Sequence, residues 1–244
     1  MTDTGDTNAA IWKSDENLAY WLATQDARER RRAEQRLLLA DLLPFGDHEP
    51  FTFVDLGAGT GAAARVILDR FPASFGLLAE YSPQMTEEGT RSLAPYEGRF
   101  RYVEFDLGAD AWPSEIPEGL GAAISSLVVH HLPDRRKQEL FGEIWARLAP
   151  GGWYLNYEAV AAGDPIVEEA WQRANDRADP TAAEKRAHRT PEEQFRYENH
   201  VRYMIPLTPQ LDFLADAGFE AIDVYWKNLD YVIYGGRRPP SSGS

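Results

Sequence analysis

The chain has 244 residues, 43% hydrophobic and 12% aromatic, enough to bury a core in one domain or in one domain with a modest insertion. It has no cysteine, which excludes disulfides, thiolate metal ligands and a cysteine nucleophile, and no apolar run approaches the ~18 residues that cross a bilayer. A net charge of −14 at pH 7 repels polyanions at long range, so neither nucleic acid nor a membrane is an expected partner.

Residues 1–13 read as a loose tail without the basic-then-apolar order of a secretory signal, so a cytoplasmic location is expected. Asp26-Ala27-Arg28-Glu29 has the spacing of a capping box. The helix it opens turns apolar at Leu37, Leu38, Leu39, Leu42 and Leu43 and ends at Pro44. Its basic run RERRRAEQR, residues 28–36, contains two glutamates and is expected to be a solvated helix face. Short apolar runs then alternate with helical stretches. The expected strands are Phe51–Leu56, Ser74–Glu80, Phe100–Phe105, Ala122–Val129 and Trp153–Ala159. The helices between them cover Ala62–Phe71, Pro83–Leu93 and Pro133–Leu148.

Such alternation implies a Rossmann-like, mostly parallel sheet with helices on both faces. Residues 162–206 interrupt it with charged sequence and two or three helices. A helix at Pro209–Ala217 and two strands, Phe219–Lys227 and Leu229–Tyr234, then give an antiparallel end to a seven-stranded sheet. The expected organisation is an N-terminal tail and lid or helix segment (1–48), an α/β core (49–161), a helical insertion that caps substrate or makes a homodimer contact (162–206), the end of the core (207–238), and a short tail (239–244).

"FVDLGAGTGAA" puts Gly57, Gly59 and Gly61 between the first strand and its helix, where main-chain amides can approach an anionic ligand. Glu80 ends the second strand, the place from which a carboxylate accepts hydrogen bonds from both ribose hydroxyls. Together they indicate an adenosine-containing cofactor, either a dinucleotide or S-adenosylmethionine (SAM). Asp55 precedes the glycine loop and suits a cationic group better than a pyrophosphate. Asp106 ends the third strand, where it can accept from an adenine amino group.

With "LLAEYSPQM", "VEFDLG", "SSLVVHHLPD" and "RLAPGGWYLNYE" following in order, residues 50–160 resemble the class I SAM-dependent methyltransferases. The closing "LADAGFEAIDVYWKNLDYVIYGGR" is also typical. The resemblance implies that Gly57 and Gly59 approach the methionine part of SAM and Glu80 holds the ribose. Asp106 and Leu107 flank the adenine, and Ser126 lies beside the cofactor. Asp55 and Tyr81 complete the expected set, although Tyr81-Ser82-Pro83 departs from many relatives.

The implied reaction is in-line displacement at the SAM methyl carbon, with S-adenosylhomocysteine as product and a small-molecule O, N or C atom as acceptor. Positioning can supply most of the catalysis, and a base is needed only if the acceptor must lose a proton. The candidates for that base are His130 and His131. On an extended strand their rings point to opposite faces and cannot chelate one ion, so no metal is expected. His131 matches the family's recurring position, and His130 is the better guess for reaching the acceptor. Tyr20 and Trp21, with Trp12, are expected to form an aromatic lid. Glu158, His200 and Tyr203 are expected in the acceptor pocket, with Trp171, Phe195, Tyr197 and Arg202 along its far side. One arginine of residues 28–36 is the alternative partner for the methionine carboxylate. Competing readings are a carboxy-SAM synthase, suggested by Glu198-Asn199 and "PLTPQLDFLADAGF", an NAD-dependent oxidoreductase, and a noncatalytic SAM-binding module.

Overall fold

The computed structural model describes residues 32–109 and 111–241. Helix α1, residues 32–41, precedes a seven-stranded sheet. The strands are β1 (Thr52–Leu56), β2 (Phe75–Glu80), β3 (Phe100–Glu104), β4 (Leu120–Ser126), β5 (Leu148–Ala159), β6 (Glu220–Asn228) and β7 (Tyr231–Arg237). Their order across the sheet is β3-β2-β1-β4-β5-β7-β6. The first five pair in parallel, and β7 runs antiparallel to both its neighbours. The chain reverses its direction of winding between β1 and β4, the crevice where open α/β sheets bind ligands at the carboxyl ends of their strands.

Alternation along the strands sends apolar side chains to two buried layers. Val54, Leu77, Ala123, Tyr154 and Tyr234 face one side, packed with Leu140, Phe141 and Ile144 of α4 (Asp134–Arg147) and Leu214 of α8 (Leu207–Asp216). Phe53, Leu78, Ile124, Leu155 and Ile233 face the other, with Leu39 of α1 and Ile67 and Leu68 of α2 (Ala62–Arg70). Helix α3 (Pro83–Ser92) begins with Ser82, whose hydroxyl accepts from the Met85 amide. Residues 162–206 fold as α5 (Pro165–Ala178), α6 (Ala182–Ala187) and α7 (Pro191–Val201). Among the described residues no helix is long and apolar enough to cross a membrane.

Two boundary differences bear on the site. β5 begins at Leu148 rather than Trp153, so Pro150-Gly151-Gly152 lies inside the strand as an irregularity. β4 stops at Ser126, three residues early, because Leu127 takes a left-handed conformation (φ 58°). The chain then tightens into a 3-10 turn, Val129–His131. An apolar run reads as strand from composition alone. Here the ladder to β5 ends with the Leu127 amide donating to Tyr157 O (2.7 Å), and the turn beyond it is closed by the amides of His131 and Leu132, which donate to Val128 O (3.1 Å) and Val129 O (3.0 Å).

Candidate active site

The loop after β1 is stitched to β2 by amides of Gly57 and Ala58, which donate to Ala79 O at 2.9 and 3.1 Å. Gly57 has φ 66°, and a Cβ there would lie 2.4 Å from Val128 Cγ2. Gly59 has φ 54°, but a Cβ there would meet nothing within 4 Å. The two glycines are therefore required for different reasons, packing against the β4 end at Gly57 and backbone conformation at Gly59. Gly57→Ala is expected to cost about 3 kcal/mol, strain plus overpacking, and to lower Tm by roughly 6–12 °C. Gly59→Ala costs the backbone part alone, about 1 kcal/mol. Thermal melts of the two variants check the contrast.

Glu80 is buried at the end of β2. Its Oε2 accepts from the Gly59 amide (2.8 Å), and its Oε1 accepts from the amides of Tyr81 (3.0 Å) and Ser82 (2.8 Å). Burial raises its pKa, opposed by those three hydrogen bonds. Asp55, 1% exposed, uses Oδ2 to accept from the Ala64 amide at the start of α2 (3.1 Å). Its other oxygen, Oδ1, is buried with no hydrogen-bond partner among the described residues. Burial pushes Asp55 up to about 7, against the Ala64 hydrogen bond and the nearby Arg36 charge.

These groups open onto a cavity of about 410 Å³. Asp55, Gly57, Gly59, Glu80, Tyr81, Asp106, Leu107 and Ser126, the full set expected to contact the cofactor, all line it. Asp106 Oδ1 accepts from the Gly108 amide (2.8 Å), which holds the β3 end in a tight turn. Ser126 Oγ is a second buried polar atom with no hydrogen-bond partner among the described residues.

Arg32 and Arg36 also line the cavity, which corrects the reading of their helix as a solvated face. Arg36 is 7% exposed and lies on the stripe that carries Leu39 and Leu43, three and seven residues on. That spacing was the available signal. Asn199, Arg202 and Tyr203, from α7 and the turn after it, line the opposite side.

The strand-end histidines differ most from expectation. Because the chain turns after Ser126, their rings do not splay to opposite faces but lie 4.0 Å apart, and His200 of α7 joins them. Their adjacency in the chain therefore does not prevent the two rings from sharing an ion. His130, 2% exposed, has Nδ1 2.5 Å from Glu158 Oε1 and Nε2 3.1 Å from His200 Nδ1. Glu158 also accepts from the His130 amide (3.0 Å) and its Oε1 from the Ala159 amide (2.8 Å). Burial holds Glu158 up at about 7 and His130 down at about 3, and it lowers His131 well below the usual histidine value.

His131, not His130, lines the cavity, which corrects the expectation that His130 is the one to reach toward an acceptor. Glu158 is fully buried and reaches the site only through His130, rather than lining an acceptor pocket. His200 joins the histidine cluster and Tyr203 reaches the cavity. Phe195 and Tyr197 are largely exposed, with the Arg189 guanidinium over the Tyr197 ring, and do not line the far side. Nor does Trp171, whose ring is covered by Lys227. An aromatic residue in a charged helical segment gives no sign of which face it takes until the helix has a partner. Trp12, Tyr20, Trp21 and the capping box lie outside the described residues.

The donor and acceptor set fits SAM on the evidence of the orphaned oxygen. Asp55 Oδ1 can take an ammonium, Arg36 a carboxylate, and Glu80 a ribose diol, all around one cavity. Comparison with known proteins agrees. Residues 53–152 match the family model described as a methyltransferase domain. The chain is 27% identical over 160 residues to acetylserotonin O-methyltransferase of Gallus gallus, covering 65% of this chain and 43% of that one. It is 28% identical over 202 residues to trans-aconitate 2-methyltransferase of Pseudomonas aeruginosa (strain UCBPP-PA14), covering 78% and 67%. The solved structure of human N-acetylserotonin methyltransferase in complex with SAM superposes with a TM-score of 0.65 at 18% identity, over 98% of this chain and 60% of that one, a likeness of fold. The chain thus spans less than half the length of the Gallus gallus protein and under two thirds of the human one. Neither the nicotinamide-dependent nor the carboxy-SAM synthase reading is favoured by these relatives. By motif order, cavity chemistry and sequence relatives, the chain carries a methyltransferase domain over residues 53–152 and is similar to the class I SAM-dependent methyltransferases.

Proposed function

We propose that the protein transfers the SAM methyl group to an O, N or C atom of a small molecule. The buried Asp55 Oδ1 on the cavity wall, without a hydrogen-bond partner among the described residues, carries this reading, because it is an acceptor suited to a cation. SAM supplies a methyl group on a sulfonium, open to in-line displacement. The chain's own part is to hold both reactants in line and exclude water. Glu80 fixes the glycine loop through Gly59 while presenting a carboxylate to the ribose. Asp55 and Arg36 bracket the amino-acid end, and Asp106 and Leu107 border the adenine side.

Acceptor binding falls to the insertion, residues 162–206, acting as a cap through Asn199, Arg202 and Tyr203. His131 is the side chain for the acceptor's proton. Its imidazole is kept neutral by burial and accepts a hydrogen bond from an acceptor O–H or N–H. The pair Glu158–His130 is a positioning device that holds the 3-10 turn carrying His131.

Native mass spectrometry of freshly purified protein is expected to reveal bound SAM or S-adenosylhomocysteine. Calorimetry should then give SAM binding and no NAD binding; the reverse outcome overturns the reading. With labelled SAM and an acceptor library, His131→Ala is expected to lower turnover by about 10²-fold or more if the acceptor must lose a proton. Equal turnover by wild type and His131→Ala would remove this residue from proton handling.

A further inference from the structure

We propose that His130, His131 and His200 form a binding site for a divalent transition-metal ion such as zinc, with Glu158 as the outer carboxylate that orients His130. The ring nitrogens of the three histidines, one from each residue, lie within 4.8 Å of one another. The tightest pair, His130 Nε2 and His200 Nδ1, is 3.1 Å apart. Nitrogens on a tetrahedral zinc, each ~2.0–2.1 Å from the metal, are separated by about 3.3 Å. One edge of the coordination figure is therefore already set. The half-buried rings of His131 and His200 are the members that must rotate to close the others.

A second observation points the same way. Metal-bound histidines characteristically give their other ring N–H to a carboxylate, which sets the tautomer and strengthens the ligand. His130 has this arrangement, with Nδ1 2.5 Å from Glu158 Oε1, so its Nε2 lone pair is directed at His200. Glu158 is itself held by the amides of His130 and Ala159, so its orientation is determined before any ion arrives. Such a chain of fixed groups is costly to bury for packing alone. For His200 to ligate through Nδ1, its proton must reside on Nε2. That is a change of tautomer with no net loss of protons.

The donor set selects the ion. Three imidazoles suit zinc, cobalt(II) or iron(II), whereas magnesium and calcium require oxygen ligands. Among the neighbouring charges, Glu158 attracts a cation. Lys137 opposes one, but its ammonium is turned to Asp134 Oδ1 (3.1 Å) and to Tyr203 O. Three protein ligands leave a fourth position open, and His131 borders the cavity. Resting on the methyl-transfer reading, that position would take the acceptor's heteroatom and ease its loss of a proton; in the metal-loaded protein this replaces acceptance of the proton by His131, whose lone pair is then on the ion. The ion would also tie α7 of the insertion to the β4 end, so loading and capping would be coupled.

The test is titration of chelator-stripped protein with cobalt(II), without SAM. Expected are one ion per chain by elemental analysis and visible d–d bands of four-coordinate intensity, with zinc competing for the same site. His200→Ala and His131→Ala should each weaken binding by more than about 100-fold, and Glu158→Gln by about 10–100-fold. Circular dichroism of each variant, with His200→Gln as a milder second change, separates loss of ligand from loss of fold. Absence of 1:1 uptake by the wild type overturns the site. So does uptake that folded His200 and His131 variants leave unchanged, and the cluster is then a hydrogen-bonded relay only. SAM binding by calorimetry is measured on the same samples. Cobalt binding without SAM binding would retain the metal site and reject the methyl-transfer reading.

Discussion

Asp55→Asn is expected to stabilise the cofactor-free protein and to abolish most of its affinity for SAM. Burial holds Asp55 at about 7, against 3.8 for the free side chain. The folded chain therefore binds more protons than the unfolded one between those values, and stability falls as pH rises through that window. The full difference corresponds to about 4 kcal/mol, of which burying an asparagine amide returns roughly 1–3. At pH 8 the variant should be more stable than wild type by about 2 kcal/mol; the gap should close near pH ~5.5 and reverse by about 1–2 kcal/mol toward pH 4. Denaturant melts at the two pH values measure this.

Binding has the opposite sign. An ammonium placed against Asp55 Oδ1 requires the ionised carboxylate, so SAM affinity should drop about tenfold for each pH unit below 7 in the wild type. In Asp55→Asn the affinity should be at least ~100-fold weaker at pH 7.5 and flat with pH. Measurements between pH 5.5 and 7 avoid titration of the ligand's own α-amino group, near 8. A wild-type affinity that does not change over this range would remove Asp55 from contact with the cation.

Glu80→Ala should show the largest loss of cofactor binding, about 10²–10⁴-fold. One carboxylate holds three main-chain amides, and in the proposed complex it also receives ribose hydroxyls. Each hydrogen bond to a charged group contributes about 1.5–3 kcal/mol, so removal of two such bonds accounts for that range. The Gly59 amide loses its partner in the same step. Its hydrogen exchange should accelerate in the variant even without SAM, a readout that a purely ligand-facing carboxylate would not move. Unchanged Gly59 protection together with intact SAM affinity would refute both roles assigned to Glu80.

The carboxylates that line the cavity were legible because each is tied to a strand end. Asp55, Glu80 and Asp106 follow apolar runs at the places where a parallel sheet opens. Periodicity locates those ends to within a residue or two, and the glycine loop supplies the register. Arg36 was half legible, since its helical spacing from Leu39 and Leu43 was present but the density of neighbouring charge argued for solvent. The histidine cluster was not legible. Two adjacent residues on a strand diverge, and the same two residues in a 3-10 turn converge. The choice between those depended on the left-handed Leu127 and on the His130 amide bonding to Glu158, twenty-eight residues away in sequence.

The sequence by itself therefore determined the layers of the fold, the resemblance to methyltransferases and the carboxylates that line the cavity, because periodic apolar patterns and turn glycines are local properties. Only the tertiary structure decided which polar groups share a space. It set Arg36 on the cavity wall, withdrew Glu158 beneath His130, and joined "VVHHLPD" to His200 seventy residues further on. Burial and proximity between distant segments arise from packing, and they convert an ordinary aspartate into an acid near 7 and two strand-end histidines into part of a three-imidazole cluster.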